Sequence, residues 1–492
     1  MSIAFLPAVR ADTGMLTWDD AEIAQALDAF VPRLMEHNSV PGAQVALMRG
    51  GRLIYERGFG IRNVIGRAPV TPDTLFEAAS LSKPVAAHVA MQLVAAGKLR
   101  LDTDIGLGLE PPWLEPGSDG RVPSITLRQI LTHTSGLSND LRRSSHALIT
   151  TPGEAFAYAG EGFDYLGYAI TAHEQKPFAD VARARLFEPL GIQETGFALR
   201  DDQLSMMATG HTAAWMPVAL VALPFIGMFA ASLALVFVVV RLVLQQPRLR
   251  MGHLTLPLLA GGIASMVVVL ELVGLGLATT VFIIAIVFAL VVALAVTLWR
   301  LLFHVLGFST VRPGTVMRQD DQRSGFWMRL ALVLGLLCAV PLLFANVPIP
   351  LRAAGDVHPA SSLRGTAGEI ALFAREIMSP TLLEPSDMAT ITTPQVHVGK
   401  GVSKSISWGL GIGIRDRVLS DGDTQRTLWQ WGINPGYASL LIVEPREQVA
   451  LVVLTNAQSG GAMVQELGAH VFGGLGEPAN WTLPGEAFAP SF

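Results

Sequence analysis

Hydrophobic and polar positions follow three different patterns along this chain of 492 residues. Near the start, Ile23, Ala26, Leu27, Phe30 and Leu34 recur at helical spacing behind a cap-like Thr17-Trp-Asp-Asp20. Residues 42–60 follow as two strand-like runs around Arg49-Gly50-Gly51-Arg52, the pattern of a β-hairpin. A helix is expected over 80–97, and mostly helical segments with loops over 125–200. Further on, 363–378 reads as an amphipathic helix. Residues 407–414, 427–431, 438–443 and 449–454 read as strands separated by Pro and Gly turns, and 461–472 as a last helix. Strands at both chain ends with helices between them predict an α+β domain. The hairpin and the C-terminal meander are expected to share one antiparallel sheet, so that neither end buries its core alone.

The third pattern is continuous. Apolar runs occupy 216–244, 254–277, 278–302 and 326–345, almost without interior charge. Each is near or above the ~20 apolar residues that cross a bilayer core as a helix. The expected organisation is therefore one domain interrupted by a membrane block: 1–211 and 351–492 as its two parts, and 212–350 as four transmembrane helices. Arg241, Arg248 and Arg250 flank the first interhelical loop. Arg300, Arg312, Arg318 and Arg323 mark the last, against Asp320 and Asp321. The positive-inside rule puts these loops in the cytoplasm and both flanking parts on the outer face. That predicts an integral protein of a bacterial inner membrane with its soluble domain in the periplasm. The first residues, MSIAFLPAVRA, carry no basic n-region and no full apolar h-region of an export signal. Glu271 lies inside the second run, either as a functional carboxyl or near an interface.

Composition narrows the classes. Hydrophobic residues make up 51% and charged ones 15%, so the chain is not disordered. A single cysteine, Cys338, excludes a disulfide scaffold. A net charge of -5 without a basic run argues against nucleic-acid binding. The His, Cys and carboxylate spacings form no metal pattern, and there is no phosphate-binding glycine loop. No cofactor is expected.

The candidate chemistry begins at Ser80-Leu81-Ser82-Lys83, within FEAASLSKP. Serine and lysine three apart share one face of a helical turn. A serine hydroxyl is a weak nucleophile and needs an adjacent base. A lysine supplies one when its surroundings favour the neutral amine. FEAASLSKP resembles the nucleophile motif of the serine β-lactamase and penicillin-binding-protein superfamily. The closer likeness is to its class C branch, with class C β-lactamases, D-amino-acid peptidases and family VIII carboxylesterases. SVPGAQVALMRGGRLIYERGFG, ITLRQILTHTSGL, PGEAFAYAGEGFDYLG and LFEPLGIQETGF resemble further family segments in order. SSLRGTAGEIALFAREIM, WGLGIGI, NPGYASLLIVEP and VALVVLTNAQSG continue the likeness after the apolar block.

The resemblance implies roles. Ser80 would be the nucleophile, Lys83 its base and Tyr158 a proton relay. Tyr158-Ala159-Gly160 stands where the family usually has Tyr-x-Asn, so Gly160 lacks an amide that orients the lysine and binds substrate. Gln430-Trp431-Gly432 stands where the family has Lys-Thr-Gly or His-x-Gly. Gln430 thus replaces a cation that would meet a substrate carboxylate, and Gly432 leaves room for substrate along the strand. The backbone N–H groups of Ser80 and Ile433 would form the oxyanion hole. His133, Glu77, Asp164 and Tyr165 read as structural. The leading expectation is a membrane-anchored serine hydrolase acting on a small ester, peptide or β-lactam, with the ester or peptide favoured. The alternatives are an acylation-dependent sensor signalling through the helices and a non-catalytic binding protein. Four spans with one acidic residue offer little to a transporter.

Overall fold

In a computed structural model of the chain, both chain ends meet in one eight-stranded antiparallel sheet. The structure describes residues 14–213 and 346–473, apart from 65, 107–110, 112, 116–123, 140–146, 349–354, 399–405 and 420. The expected hairpin forms as β1 (Gly42–Arg49) and β2 (Arg52–Gly60), turning at Gly50 and Gly51. Between it and α2 (Ser82–Ala95) comes β3 (Phe76–Ala79). The meander supplies β7 (Val396–His397), β8 (Ile406–Trp408), β9 (Gly413–Val418), β10 (Thr424–Asn434), β11 (Tyr437–Glu444) and β12 (Val449–Thr455). The sheet order is β2-β1-β12-β11-β10-β9-β8-β7. β1 pairs with β12 from Ala43↔Thr455 to Arg49↔Val449, which joins residues about 400 positions apart and makes the two flanks one domain.

Both faces of the central strands are covered, so β11 and β12 are buried at every position. That explains their continuous apolar sequence, because a strand buried on two faces has no polar side to alternate with. On one face Val45, Leu47, Leu440, Ile442, Leu451 and Val453 pack with helix α1 (Asp20–His37) and helix α8 (Gly460–Phe472). On the other, Ala46, Leu441, Val443, Val452 and Leu454 join a larger core built with α2, α4 (Gly160–Glu174), α5 (Phe178–Ala182) and α6 (Ala367–Met378). Short helices α3 (Leu127–Leu131) and α7 (Pro385–Thr392) complete the helical layers.

The structure corrects several sequence expectations. The α1 cap is Asp19, which accepts from the Glu22 N–H while Glu22 reaches back to Asp19 N–H; Thr17 takes no part in this capping box. The helix expected from 363 begins at Ala367, because Leu363–Gly365 forms strand β6 against β3 before Thr366 caps the helix. The strand expected over 407–414 breaks at Gly409–Ile412 into β8 and β9. Of the described residues in 125–200, only α3, α4, α5 and a π-helical turn at Arg183–Phe187 are helical.

By its contacts the chain divides into Met1–Thr212 with Asn346–Phe492, and Ala213–Ala345. All of the second unit except Ala213 lies outside the described residues, and so do the four apolar runs and Glu271. Short strands β4 (His211–Ala213) and β5 (Asn346–Pro348) pair with each other. Among the described residues, no helix is long and apolar enough to cross a membrane.

Candidate active site

Ser80 lies one residue beyond β3 and two before α2, in the turn between them, just ahead of a helix expected to begin at about Ser80. Ala79, just before it, has φ 49°, a left-handed conformation that a residue with a Cβ rarely adopts. Its neighbours hold it there. The Ser439 hydroxyl donates to Ala78 O at 2.7 Å, and the Ser82 hydroxyl donates to Ala79 O at 2.6 Å. Ser82 also accepts from Leu363 N–H at 2.9 Å, which ties the start of α2 to β6. The sharp turn leaves Ser80 partly exposed above a Lys83 that is 2% exposed.

Lys83 Nζ is 3.0 Å from Ser80 Oγ and donates to the Ala360 carbonyl at 2.9 Å. It also lies 4.8 Å from the centre of the Tyr158 ring and 5.8 Å from that of Phe163. Such aromatic faces attract the charged amine. Ser80, Lys83 and Tyr158 are therefore brought together, as expected. Gly160 is the buried first residue of α4 and contributes no side chain to the amine.

Gln430 is placed differently from the expectation. It is fully buried, and its amide donates to the Tyr158 hydroxyl at 3.0 Å and to Trp431 O at 2.7 Å. A carbonyl at that distance fixes the amide orientation, since only the NH₂ end can face it. Gln430 thus braces Tyr158 from below. The partly exposed side chain next to it is Trp431, stacked on Tyr158 at 6.2 Å.

Gly432 fits its expected place closely. A Cβ there would come within 2.6 Å of Ser80 N and of Ser439 Oγ, and within 2.8 Å of Ala78 O. Only glycine lets β10 run this near the Ser80 amide. Ile433 follows it, partly exposed, and the next residue is anchored: Asn434 donates to Glu77 Oε2 at 2.6 Å and to Ser361 O at 3.0 Å. Glu77, on β3, faces the buried Arg364 at 3.9 Å. This network joins β3, β6 and β10 beside Ser80. Its sequence signal was weak, because each partner is an ordinary polar residue in a different segment.

His133 proves to be the clamp on Tyr158. Its carbonyl accepts from Ala157 N–H at 2.8 Å and its Nδ1 from Ala159 N–H at 3.0 Å, one residue on each side of the tyrosine. The two rings lie 4.3 Å apart. Burial, and then the charge of Lys83, hold the His133 pKa well below the usual value. An Nδ1 that accepts a backbone proton also requires the neutral ring. The unfolded chain takes up a proton here below pH ~6.5 and the folded chain does not. Stability is therefore expected to fall as pH drops from about 6.5, by up to ~1.4 kcal/mol per unit from this group. Unfolding midpoints of the wild type and His133→Asn between pH 5 and 8 check this. An equal pH slope in both proteins contradicts it.

A family model described as Beta-lactamase matches residues 27–472. The esterase EstB of Burkholderia gladioli is 28% identical over 221 residues, which cover 39% of this chain and 56% of the esterase. The chain spans about half the length of the curated relatives it matches. An octameric penicillin-binding protein homologue from Pyrococcus abyssi superposes with a TM-score of 0.54 at 15% identity, covering 94% of this chain and 79% of that one. The D-alanine carboxypeptidase AmpC from Burkholderia cenocepacia gives 0.53 at 15% identity, over 89% of this chain and 95% of that one. These two structures share the fold. With the family model spanning nearly the whole chain, from α1 to the end of α8, the protein belongs to the beta-lactamase family.

Proposed function

We propose that the chain is a serine hydrolase that works through an acyl-enzyme and prefers esters. The observation that carries this reading is the contact between Ser80 Oγ and Lys83 Nζ, with Tyr158 beside them. Neutral Lys83 takes the Ser80 proton as Oγ bonds to the carbonyl carbon. The oxyanion so formed meets the N–H groups of Ser80 and Ile433. Tyr158 passes a proton to the leaving alkoxide, which departs as the alcohol, and regains one from Lys83. Water then attacks the acyl-enzyme by the same route, releasing the acid and restoring Ser80.

Two features favour esters over carboxylate-bearing β-lactams and peptides. Gly160 offers no amide to an acyl side chain. Gln430 is a neutral group buried against Tyr158, so no cation comes from that position. The relative named an esterase agrees with this preference. A chromogenic cephalosporin, offered as its free acid and as its methyl ester, tests it. A cationic pocket would favour the acid by the ~1.5–3 kcal/mol of a charge-assisted hydrogen bond, about tenfold or more in kcat/KM. The expected result is no advantage for the acid. A tenfold preference for the acid contradicts the ester reading.

The same proposal includes anchoring by four transmembrane helices within 216–345, supported by apolar runs of bilayer length. The arginine-bearing loops would then lie in the cytoplasm and the hydrolase domain on the outer face. Alkaline carbonate washing of membranes is expected to leave the protein in the pellet, and protease added to spheroplasts to cleave the hydrolase domain. Release by carbonate contradicts the anchor, and full protection contradicts the orientation.

A further inference from the structure

Strand β10 changes character along its length. Thr427, Leu428, Trp429 and Gln430 are all buried, but from there to Asn434 burial alternates. Trp431 and Ile433 are partly exposed, between buried Gln430, Gly432 and Asn434. The alternation begins where a neighbour stops. β9 pairs with β10 from Thr424 to Trp429, whereas β11 pairs with it as far as Asn434. Side chains two apart on a strand share a face, so Trp431 and Ile433 stand side by side on the open one, about 7 Å apart.

This open stretch is the one beside the nucleophile. A Cβ at Gly432, between the two residues, would come within 2.6 Å of Ser80 N. The Trp431 ring lies nearly parallel to Tyr158, with 14° between the planes and 6.2 Å between the centres. Lys83 Nζ, 4.8 Å from the centre of that tyrosine ring, reaches Ser80 Oγ at 3.0 Å. His133, 4.3 Å from Tyr158 and joined to the peptide groups around it, holds the aromatic wall in place. Apolar area left partly in water at such a place is covered when an apolar part of the substrate lies on it.

The chemistry decides which part. Acylation forms the bond from Ser80 Oγ to the carbonyl carbon and breaks the bond from that carbon to the alcohol oxygen. The Ser80 proton goes to Lys83, and Tyr158 gives its own to the departing alkoxide. The alcohol oxygen must then come within about 3 Å of the Tyr158 hydroxyl. The group it carries lies over the neighbour of Tyr158, which is Trp431. We propose that Trp431 and Ile433 form the subsite for the alcohol half of the ester, and that this half carries an aromatic ring. This rests on the reading of Tyr158 as the proton donor to the leaving group. A flat ring packs on indole in the offset or edge-on arrangements that aromatic pairs prefer.

Two ester series and one binding measurement on the full-length protein test the subsite. The wild type is expected to favour benzyl acetate over ethyl acetate by about tenfold or more in kcat/KM. Trp431→Ala should reduce that ratio to about twofold or less, and Trp431→Phe should keep most of it. Ratios among p-nitrophenyl acetate, butyrate and hexanoate, which share one alcohol, should be equal in the wild type and Trp431→Ala. If Trp431 only steadies Tyr158, Trp431→Ala slows both acetates alike; an unchanged ratio therefore overturns the subsite, as does a wild-type ratio near one. Binding is read without turnover in Ser80→Ala protein carrying 15N-labelled indoles. The chain has nine tryptophans, and the signal missing when Trp431→Phe is added belongs to Trp431. Benzyl acetate is expected to move that signal and ethyl acetate to leave it in place. If neither acetate is hydrolysed in a Ser80-dependent way while benzyl acetate still moves the Trp431 signal, the proposed function falls and the aromatic subsite stands.

Discussion

Ser80→Ala is expected to lower kcat for a short ester by about 10⁴-fold or more, because the proposed acyl bond forms on its hydroxyl. The fold should survive. Ser80 is partly exposed, and Lys83 keeps the Ala360 carbonyl when the hydroxyl is gone. Losing one hydrogen bond of ~1 kcal/mol shifts the unfolding midpoint by only about 1–2 °C in a domain of this size. The measurement pairs initial rates with thermal unfolding of both proteins. Substantial turnover by the alanine variant would falsify the nucleophile assignment.

Gly432→Ala carries the second large effect. The new methyl would lie 2.6 Å from Ser80 N, where the oxyanion donor must stay open, and 2.8 Å from Ala78 O. Both are backbone atoms in a turn held by Ser82 and Ser439, so neither yields easily. Losing one oxyanion donor costs about 10²–10³ in kcat. Ser439 Oγ, also 2.6 Å away, is the softer neighbour. Combining Gly432→Ala with Ser439→Ala separates the two contacts. The double variant is expected to remain as slow as Gly432→Ala. Recovery to the wild-type rate would mean that the glycine merely makes room for the serine hydroxyl.

These effects show which parts of the site were legible in the sequence. Ser80, Lys83 and Tyr158 could be found because their chemistry resides in side chains carried by short, ordered motifs. Gly432 was legible for a related reason, since a glycine inside a strand marks a place where a ligand or another backbone comes close. The hairpin and the last strand, β12, were visible as apolar runs, and their union in one sheet followed from the need of each to bury a face. What stayed hidden acts through the backbone or across long separations. Ala360 contributes a carbonyl, which no residue type announces. His133 looked like a packing residue, and its clamp on Tyr158 depends on two peptide groups of another segment. Gln430 was read as standing in place of a cation, but its attachment to Tyr158 needed the strand's burial pattern to be known. Leu363–Gly365 was merged into the following helix because three residues are too few to show strand alternation.

The central claim is that this fold activates Ser80 for covalent attack. Intact-protein mass spectrometry after treatment with a fluorophosphonate tests it most directly, with wild type and Ser80→Ala side by side. The account predicts a single adduct on the wild type, mapped by peptide digestion to Ser80 and missing from the variant. No adduct on folded wild-type protein, or one that persists on another residue in Ser80→Ala, would contradict it.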